Sequence, residues 1–468
     1  MHATNEVRRH QIDSIQLRLS SYAERLCYED LNPQTIHAAK VRVIDTLGAL
    51  IGGFYGEAPQ IARKMAAQAQ QPTGATVIGT RTRTTPDVAA FVNGATARYV
   101  EMNDVYHWPG SMGGHPSDVL MPIFAAGEHA HAGGRALITA IVLGYEVYLR
   151  MSHAVKTPGF DCANFCCMGS ALGAGKLLGL SQPQLAQGLA MAVVPNNALN
   201  QARTGHLSMW KAMAAGQSGR AGVFAALLAQ VGMEGPHMPF EGKNAWCNHV
   251  ARSAFSLDTL GDRDTPFKIN DTLIKPRASC ATTISSILAA EKAAVQIGNV
   301  DDVEKVIVEV YERAKIGMGT GEHHWNPDSR ETADHSIPYV VAASLIDKRH
   351  TPASFDDAHL HSPRLRALLA KIEVVTNDQF TVEYERVPVK HATRVSVTMK
   401  NGGRLMGESG GDKGDLSQAK SDAEIEEKFR SLTEAALGPR QVDTLLATLW
   451  DLEKVDDVSV IPPLLVFA

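Results

Sequence analysis

The sequence predicts a mainly α-helical protein with an inserted α+β domain, because two hydrophobic periodicities occupy different parts of the chain. Apolar residues recur at helical spacing from about residue 14 to 231, and again near the carboxyl end. Apolar–polar alternation, typical of strands, is confined to about 300–408. The simplest architecture is a large all-helical domain formed by both chain ends, at 1–265 and 409–468, plus a smaller lid domain with an antiparallel sheet at 266–408.

The predicted helices of the first half are rich in alanine and glycine, so we expect them to pack closely. In "MGSALGAGKLLGL", Gly169 and Gly173 lie one helical turn apart, which leaves one helix face without side chains. Close helix packing is favoured over a phosphate-binding loop, because the Walker spacing is absent and no strand precedes the segment. The predicted helical segments are 22–27, 36–51, 136–151, 168–178, 184–194 and 211–230.

The predicted lid sheet rests on three alternating segments and one turn. "VEKVIVEVYE", "KIEVVT" and "TRVSVTM" each alternate apolar and polar residues. The Asn-Gly-Gly that follows the third segment, at 401–403, is typical of a hairpin turn. Helical segments at 281–297 and 336–346 lie before and between these strands. After them, "SDAE" at 421–424 is a capping box that predicts the start of another helix.

The composition is that of an ordinary globular protein. The chain has 468 residues, 44% hydrophobic and 20% charged, with a net charge of −5 and no long basic run. Nucleic-acid and membrane-surface partners therefore lack electrostatic support. The polar amino terminus lacks the apolar core of a signal peptide, and no apolar run reaches the ~20 residues that span a bilayer. The six cysteines form no disulfide framework, so we predict a cytoplasmic location.

The segment "VEMNDVYHWPGSMGGHPSD" interrupts the helical pattern with a turn-rich loop. Its titratable side chains are Glu101, Asp104, His107, His115 and Asp118. Elimination or proton abstraction needs a base near the working pH and an acid that assists the leaving group. Histidine supplies either role without a large pKa shift. An alternative stays open at this point, in which the acids cap helices and the histidines lie on a solvated loop.

A second group of cations lies in or beside an apolar helix rich in small residues. Its members are Arg203, His206, Lys211 and Arg220. Long cationic side chains are costly to bury on such a helix unless they meet anions. Substrate carboxylates would satisfy them, and arginine suits a bidentate contact. In the alternative interpretation, their aliphatic stems carry the charges to the surface.

Two further segments give weaker indications of a site. "LIKPRASCATT" holds Lys275 and Cys280 at the predicted entry to the second domain. "GMGTGEHHWNPDSRETADHS" combines several glycines with the adjacent His323 and His324 and with His335. For either segment alone, a surface loop is the simpler interpretation.

The cysteine spacing argues against a metal cluster. Cys162-x3-Cys166-Cys167 lacks the C-x2-C element common in iron–sulfur motifs, and adjacent cysteines are awkward joint ligands. We therefore predict that these are buried structural thiols. No H-E-x-x-H motif occurs, so zinc has no comparable support. The sequence thus predicts a site without a metal ion.

These residues stand within longer stretches that resemble the MmgE/PrpD family over nearly the whole chain. The stretches are "AKVRVIDTLGALIGG", "TVIGT", "AAFVNGATARYVEMND", "GGHPSDVLMP", "GSALGAGKLLGL", "ADHSIPYVVAASLID" and the terminal "EKFRSL…LWDLEKVDDVS". The Asn-Gly…Asp…His-Pro-Ser series is the specific part. The resemblance implies a lyase or isomerase without a cofactor, a homodimer, and a helical domain with a lid.

The resemblance also implies roles for individual residues. The family's acidic motif falls on Glu101 to Asp104, and many relatives have Asp where this chain has Glu101. The histidine of the family's H-P-S motif matches His115. Its two site lysines match Lys211 and Lys275.

Three departures distinguish the chain from the decarboxylase branch of the family. Asp161 lies in a Gly-x-Asp segment that is more similar to the 2-methylcitrate dehydratase branch. His323 and His324 stand near the position of the decarboxylase's site tyrosine. Cys280 replaces a histidine that follows the second site lysine. These departures argue against decarboxylation.

The predicted reaction is removal of water from a small hydroxylated di- or tricarboxylate by a 2-methylcitrate dehydratase-like lyase. His115 is the predicted proton-transferring group, with Glu101 or Asp104 orienting it or sharing the proton. Lys211 and Lys275 are predicted to bind carboxylates and to stabilise the developing carbanion. The residues predicted to help bind substrate are Arg203, Arg220, His323 and Asp161.

Other activities stay open on the sequence alone. A decarboxylase of the cis-aconitate type or an epimerase of a dicarboxylate would use the same cationic contacts. A helical protein that binds carboxylates without turning them over is the non-enzymatic alternative. The sequence does not fix the substrate, because packing in the pocket sets one-carbon differences.

Overall fold

The structure is a computed structural model, and it describes residues 12–412 and 414–467. The polar segment 1–11, where we predict no signal peptide, lies outside this described part. Within the described part, no helix combines the length and the hydropathy that crossing a membrane requires.

The first half of the described chain is mainly helical, as predicted. Asn32 begins one helix, since its side-chain oxygen accepts from Thr35 N at 2.8 Å and Pro33 occupies the first turn. Gly169 lies in a close helix contact, because a Cβ there would lie 2.6 Å from Gly144 O. The helices are α1 (Ser14–Arg25), α2 (Pro33–Gly53), α3 (Glu57–Ala66), α4 (Pro86–Tyr99), α5 (Leu120–His129), α6 (Gly134–Ala154), α7 (Ala163–Leu177), α8 (Gln182–Val193) and α9 (Trp210–Gln230).

A short antiparallel pair in this half, β1 (Gln70–Thr76) and β2 (Arg83–Thr84), corrects the prediction that strands are confined to about 300–408. The first strand, "QQPTGAT", has no apolar–polar alternation, so periodicity did not reveal it. A side chain helps to hold the pair instead, because Asn93 Nδ2 donates to Thr76 O at 2.9 Å.

Helices and four strands alternate in the second half. The elements are α10 (Ala281–Ala294), β3 (Val303–Val310), α11 (Glu312–Met318), α12 (Glu322–Trp325), α13 (Arg330–Ala333), α14 (Ile337–Asp347), α15 (Asp357–Leu360), α16 (Pro363–Leu369), β4 (Ile372–Thr376), α17 (Asp378–Tyr384), β5 (Thr393–Met399), β6 (Arg404–Ser409), α18 (Asp422–Leu437) and α19 (Pro439–Trp450). The strand order is β4–β3–β5–β6, and β3 and β4 are parallel while the other neighbours are antiparallel. The predicted antiparallel sheet is therefore a mixed sheet. A parallel pair needs a long crossover, which the helices of 311–371 supply.

Buried hydrophobic residues form two main clusters. The larger one draws on 15–274 and 425–465, so both chain ends share one core. The second draws mostly on 278–416. α18 packs against α2, since a Cβ on Gly48 would lie 3.0 Å from Phe429 Cδ2. A predominantly helical chain with a small sheet confirms the predicted fold class, and the domain bounds stay a prediction.

Candidate active site

A buried group of charges centres on Glu101, which follows α4. Its φ is 56°, a left-handed value that residues other than glycine rarely adopt, and its side chain is 1% exposed. Glu101 Oε1 lies 2.8 Å from Lys275 Nζ. Its Oε2 lies 3.1 Å from Arg98 Nη1 and 3.6 Å from Lys211 Nζ. We call these four residues the charge cluster, and backbone strain of this kind is typical of functional sites.

Two helices approach closely enough to bring the parts of the charge cluster together. A Cβ on Gly94 of α4 would lie 3.3 Å from Gly216 Cα of α9. A Cβ on Gly216 would lie 2.6 Å from Phe91 O. The small residues of α4 and α9 therefore allow Glu101 and Lys211 to meet.

Lys275 is fully buried, and all three of its N–H groups have acceptors. Nζ donates to Glu101 Oε1 and to Glu101 O, both at 2.8 Å, and to Ser279 O at 3.0 Å. Burial lowers the pKa of Lys275. Burial alone would raise the pKa of Glu101, but the three surrounding cations hold it well below its usual range. Glu101 is therefore ionised.

Lys211, at the start of α9, pairs with Asp334, a residue that sequence reasoning missed. Lys211 Nζ lies 2.6 Å from both carboxylate oxygens, and neither side chain is more than 1% exposed. Asp334 Oδ1 also lies 2.5 Å from His335 Nδ1. The stretch "ADHS" that carries the family resemblance contains Asp334, and that resemblance was the available signal.

The turn-rich loop places His115 at the edge of the charge cluster, with one ring nitrogen bonded to the backbone and the other facing Glu101. Nδ1 lies 2.9 Å from Asp104 O, and because a carbonyl only accepts, Nδ1 carries the proton. Nε2 lies 3.5 Å from Glu101 Oε1. Gly114 has a φ of 119°, and a Cβ there would lie 2.2 Å from Tyr148 Oη. The loop glycine is thus required for the approach of His115.

His115 is held in its neutral form. Burial, and then the nearby Arg98 and Lys275, hold the pKa of its imidazole well below the usual range. Its side chain is 16% exposed, so the ring is not fully closed off from solvent. A neutral imidazole that is protonated on Nδ1 presents the Nε2 lone pair as a base.

Asp104 contributes through its backbone. Its carbonyl oxygen fixes the tautomer of His115, whereas its Oδ1 accepts from Ser117 N at 3.1 Å. Burial, and then the Asp104 carboxylate, raise the pKa of Tyr145 in the helical core. Asp104 therefore orients His115, and its carboxylate faces the helical core.

Arg203 and Asp161 pair with each other beside the charge cluster. Arg203 Nε lies 2.8 Å from Asp161 Oδ2, and Arg203 Nη1 donates to Lys211 O at 2.8 Å. Asp118 Oδ1 lies 3.1 Å from Arg98 Nε, yet burial raises the pKa of Asp118 to about 7. Arg203 thus positions the start of α9, and Asp161 anchors Arg203.

Arg220 and His323 lie away from the charge cluster. Arg220 Nε lies 3.1 Å from Asp87 Oδ2, and its side chain is 41% exposed. The His323 ring centroid lies 5.9 Å from that of His206 and 4.0 Å from that of His324. The structure therefore places Arg220 in a surface ion pair and His323 in a group of histidines.

His107, the other loop histidine, faces the second hydrophobic cluster. Its Nδ1 lies 2.7 Å from His391 Nε2. Burial holds the pKa of His107 well below its usual range and lowers that of His391 to about 4. Of the two loop histidines, His115 is the one beside the charge cluster.

Cys280 and His335 lie next to Asp334 and interact with each other. Cys280 N donates to Asp334 O at 3.0 Å, and the His335 ring interacts electrostatically with the Cys280 thiol. Burial would raise the pKa of Cys280, but His335 lowers it. Burial also disfavours a charged ring, but Cys280 and Asp334 raise the pKa of His335 to about 9. His335 is therefore protonated at neutral pH.

A metal site would need several His, Cys, Asp or Glu side chains that converge on one point. Within 12–412 and 414–467, no group of three or more His, Cys, Asp or Glu side chains is arranged to hold a metal ion. The predicted structural thiols are free, with Cys166 and Cys167 buried and Cys162 partly buried. Burial raises the pKa of Cys162 and Cys167 to about 12. A reaction that needs no metal stays a prediction.

Comparisons with known proteins identify the family of the chain. The MmgE/PrpD N-terminal domain matches residues 17–257, and the MmgE/PrpD C-terminal domain matches 278–452. The chain is 27% identical to cis-aconitate decarboxylase of Homo sapiens, covering 93% of this chain and 91% of that protein. It is 25% identical to 2-methylcitrate dehydratase of Escherichia coli (strain K12), covering 80% of each, and 24% identical to that of Cupriavidus necator, covering 98% and 97%. These relatives are enzymes, which supports an enzymatic function, and the chain belongs to the MmgE/PrpD family.

Proposed function

We propose that the protein is a cofactor-independent lyase that removes water from a small hydroxylated di- or tricarboxylate, as 2-methylcitrate dehydratase does. The observation that carries the proposal is the neutral His115 imidazole, whose unprotonated Nε2 lies 3.5 Å from Glu101 Oε1, the carboxylate that three buried cations surround. His115 Nε2 takes a proton from the carbon next to a substrate carboxylate. The C–H electron pair then forms the C=C bond as the hydroxyl leaves.

The charges around this imidazole favour an anionic substrate. Arg98, Lys211 and Lys275 carry three positive charges against the carboxylates of Glu101 and Asp334. Asp118, 3.1 Å from Arg98, is only partly ionised at neutral pH because burial raises its pKa to about 7. The remaining positive charge, away from water, stabilises negative charge that develops on the substrate carboxylate during proton abstraction. Both lysine Nζ atoms already bond to protein carboxylates, so we assign them this stabilising role and place substrate next to the partly exposed His115 side chain.

A cis-aconitate-type decarboxylase is the second candidate. The observation that favours it is the 27% identity to the human decarboxylase, against 25% for the Escherichia coli dehydratase. The same cations would serve either reaction, since both develop negative charge next to a carboxylate, but decarboxylation breaks a C–C bond and needs a proton donor for the carbanion in place of a base.

The test is an assay of the purified protein with 2-methylcitrate, citrate, cis-aconitate and related acids. Alkene absorbance reports loss of water, and released carbon dioxide reports decarboxylation. Incubation in heavy water, followed by NMR, reports proton exchange at carbon. Alkene formation without carbon dioxide supports the proposed lyase. Proton exchange without an alkene would indicate an epimerase, and a carboxylate bound without turnover would overturn the enzymatic proposal.

We also propose that the partners are this carboxylate and a second copy of the chain, and neither nucleic acid nor a membrane. The homodimer and the cytoplasmic location follow from the family resemblance and from the cysteine usage, respectively. Light scattering of the purified protein tests the dimer, because a monomeric mass at micromolar concentration would contradict it.

A further inference from the structure

A cysteine and a histidine without a role in the mechanism above lie next to the charge cluster. Cys280 precedes α10, is partly exposed, and is joined through its backbone N–H to Asp334 O, the residue before His335, whose ring lowers the pKa of the Cys280 thiol. His335 Nδ1 lies 2.5 Å from Asp334 Oδ1. Lys211 Nζ lies 2.6 Å from the same carboxylate. The Cys280 thiol, the His335 imidazole and the Asp334 carboxylate are therefore neighbours at the site.

Backbone contacts hold this series in place. Cys280 N donates to Asp334 O at 3.0 Å, and Ser279 Oγ donates to the same oxygen at 2.7 Å. Ser279 O in turn accepts from Lys275 Nζ at 3.0 Å. The segment that carries Cys280 is thus fixed to the ion pairs of both site lysines.

We propose that Cys280 and His335 form the proton-donating pair of the site, with the Cys280 thiol in contact with substrate and Asp334 as a positioning residue. The proposal rests on the function proposed above. While His115 takes a proton from carbon, the pair gives one proton to the departing hydroxyl, which leaves as water. His115 then holds one proton more and the pair one fewer, and a proton returned through solvent restores both.

The electrostatics of the site favour this division of roles. Burial opposes the charged His335 ring, but Cys280 and Asp334 raise its pKa to about 9, whereas His115 is held neutral. Environments that push the pKa values of two groups apart are typical of an acid and a base that act together. The titratable or charged side chains that interact with Cys280 are those of His335, Glu101, Lys275, Tyr311 and Tyr384.

The first experiment needs no substrate. The full-length protein is alkylated with iodoacetamide across a range of pH, and peptide mass spectrometry follows each thiol. We expect Cys280 to reach half of its maximal reactivity below the ordinary thiol pKa. Cys27 is the control in the same sample, because it is exposed and its hydrogen bond to Asp30 raises its pKa. His335→Gln should move the Cys280 curve to higher pH and leave that of Cys27 unchanged.

Three outcomes would overturn the proposal that Cys280 and His335 form a proton-donating pair. The first is a pH of half-maximal reactivity for Cys280 that is equal to or higher than that for Cys27. The second is an unreactive Cys280 in a sample where Cys27 reacts. The third is a pH of half-maximal reactivity for Cys280 that His335→Gln does not change. Since none of these needs turnover, they are separate from any failure of the proposed lyase function.

The second experiment measures turnover on the substrate found by the assay. Cys280→Ser should lower kcat by about 10²–10⁴-fold with little change in KM, the usual loss for one acid–base group. Cys27→Ser should leave both unchanged. The wild-type rate should also fall as the pH rises through about 9, and His335→Gln should remove this alkaline limb. Full kcat in a folded Cys280→Ser variant would exclude the donor role while leaving the lyase function intact.

Discussion

Two histidines at the site are equally buried and yet differ in protonation. The side chains of His115 and His335 are 16% and 17% exposed. Burial and two nearby cations hold the pKa of His115 well below its usual range. For His335, Cys280 and Asp334 overcome the effect of burial and raise the pKa to about 9. Neighbouring charge rather than exposure therefore decides which ring accepts a proton and which ring donates one.

The largest expected effect comes from removing the ring that accepts the proton. His115→Asn should lower kcat by about 10²–10⁴-fold, while the fold is kept because the residue lies on a loop. The wild-type rate should fall as the pH drops through the lowered pKa of His115, and this acid limb should disappear in the variant. Steady-state kinetics across pH, with circular dichroism to check folding, measure both effects.

His107→Asn is the matched control from the same loop. His107 bonds to His391 rather than to the charge cluster, so we expect a much smaller loss of kcat. Equal losses of kcat in the two variants would mean that the location of His115 beside the charge cluster gives it no special role.

The next effect concerns the cations that surround His115. Lys275→Ala and Lys211→Ala should each lower kcat/KM by about 10- to 150-fold, or about 1.5–3 kcal/mol, because each change removes a cation that stabilises the negative charge developing on the substrate. The free energy of unfolding should also fall, but by less than about 3–5 kcal/mol, the cost of an unpaired buried charge, because Glu101 keeps other cations and Asp334 keeps His335. Urea unfolding and kinetics on the same preparations separate the two losses.

Arg220→Ala is the control for these lysine variants. Its side chain is 41% exposed in the ion pair with Asp87, and such pairs contribute at most about 1 kcal/mol. We expect full activity and nearly unchanged stability. A loss as large as that of the lysine variants would show that Arg220 acts on the site after all.

The sequence predicted the members of the site better than their contacts. Glu101, His115, Lys211 and Lys275 were all named from motifs and resemblance, and the structure brings them together. Arg220, on the same helix as Lys211, was also predicted to help bind substrate. Nine residues at 3.6 per turn make two and a half turns, so the two side chains leave opposite faces of α9. Helix geometry alone argued against placing both at one site.

Other contributions depend on tertiary partners that a sequence pattern does not contain. Asp104 was named for its carboxylate, but it orients His115 through a backbone carbonyl, which every residue type has. Asp334 joins the site only because its segment meets the start of α9. The fold class followed from periodicity, whereas the parallel pairing of β3 and β4 depends on the path of the connecting chain.

A smaller effect is expected on the pH dependence of stability. The contributions of His335 and His115 to stability should change with pH in opposite directions. The folded-state pKa of His335 is raised from 6.5 to about 9. Its contribution to stability is therefore fully present below about pH 6.5 and is lost as the pH rises through about 9. His115 has a lowered folded-state pKa, so its contribution is present above the ordinary value and is lost as the pH falls.

Thermal unfolding across pH measures both contributions. His335→Gln should flatten the loss of stability on the alkaline side, and His115→Asn should flatten the loss on the acid side. Wild-type and His335→Gln curves that stay parallel through about pH 9 would contradict the raised pKa of His335.

The smallest expected effect is that of metal removal, which should change the protonation of neither His115 nor His335. Arg98, Lys211 and Lys275 already supply the positive charge that stabilises a carboxylate-based anion. Exhaustive dialysis against a chelator should therefore leave kcat and both pH limbs unchanged, with metal content measured on the same samples. Stoichiometric iron or zinc in active protein, with turnover lost on its removal, would contradict this expectation. A metal bound to Cys280 and His335 would also keep that ring deprotonated, because metal ligands must release their protons. The alkaline limb near pH 9 thus separates a proton-donating pair, which requires it, from a metal site, which would abolish it.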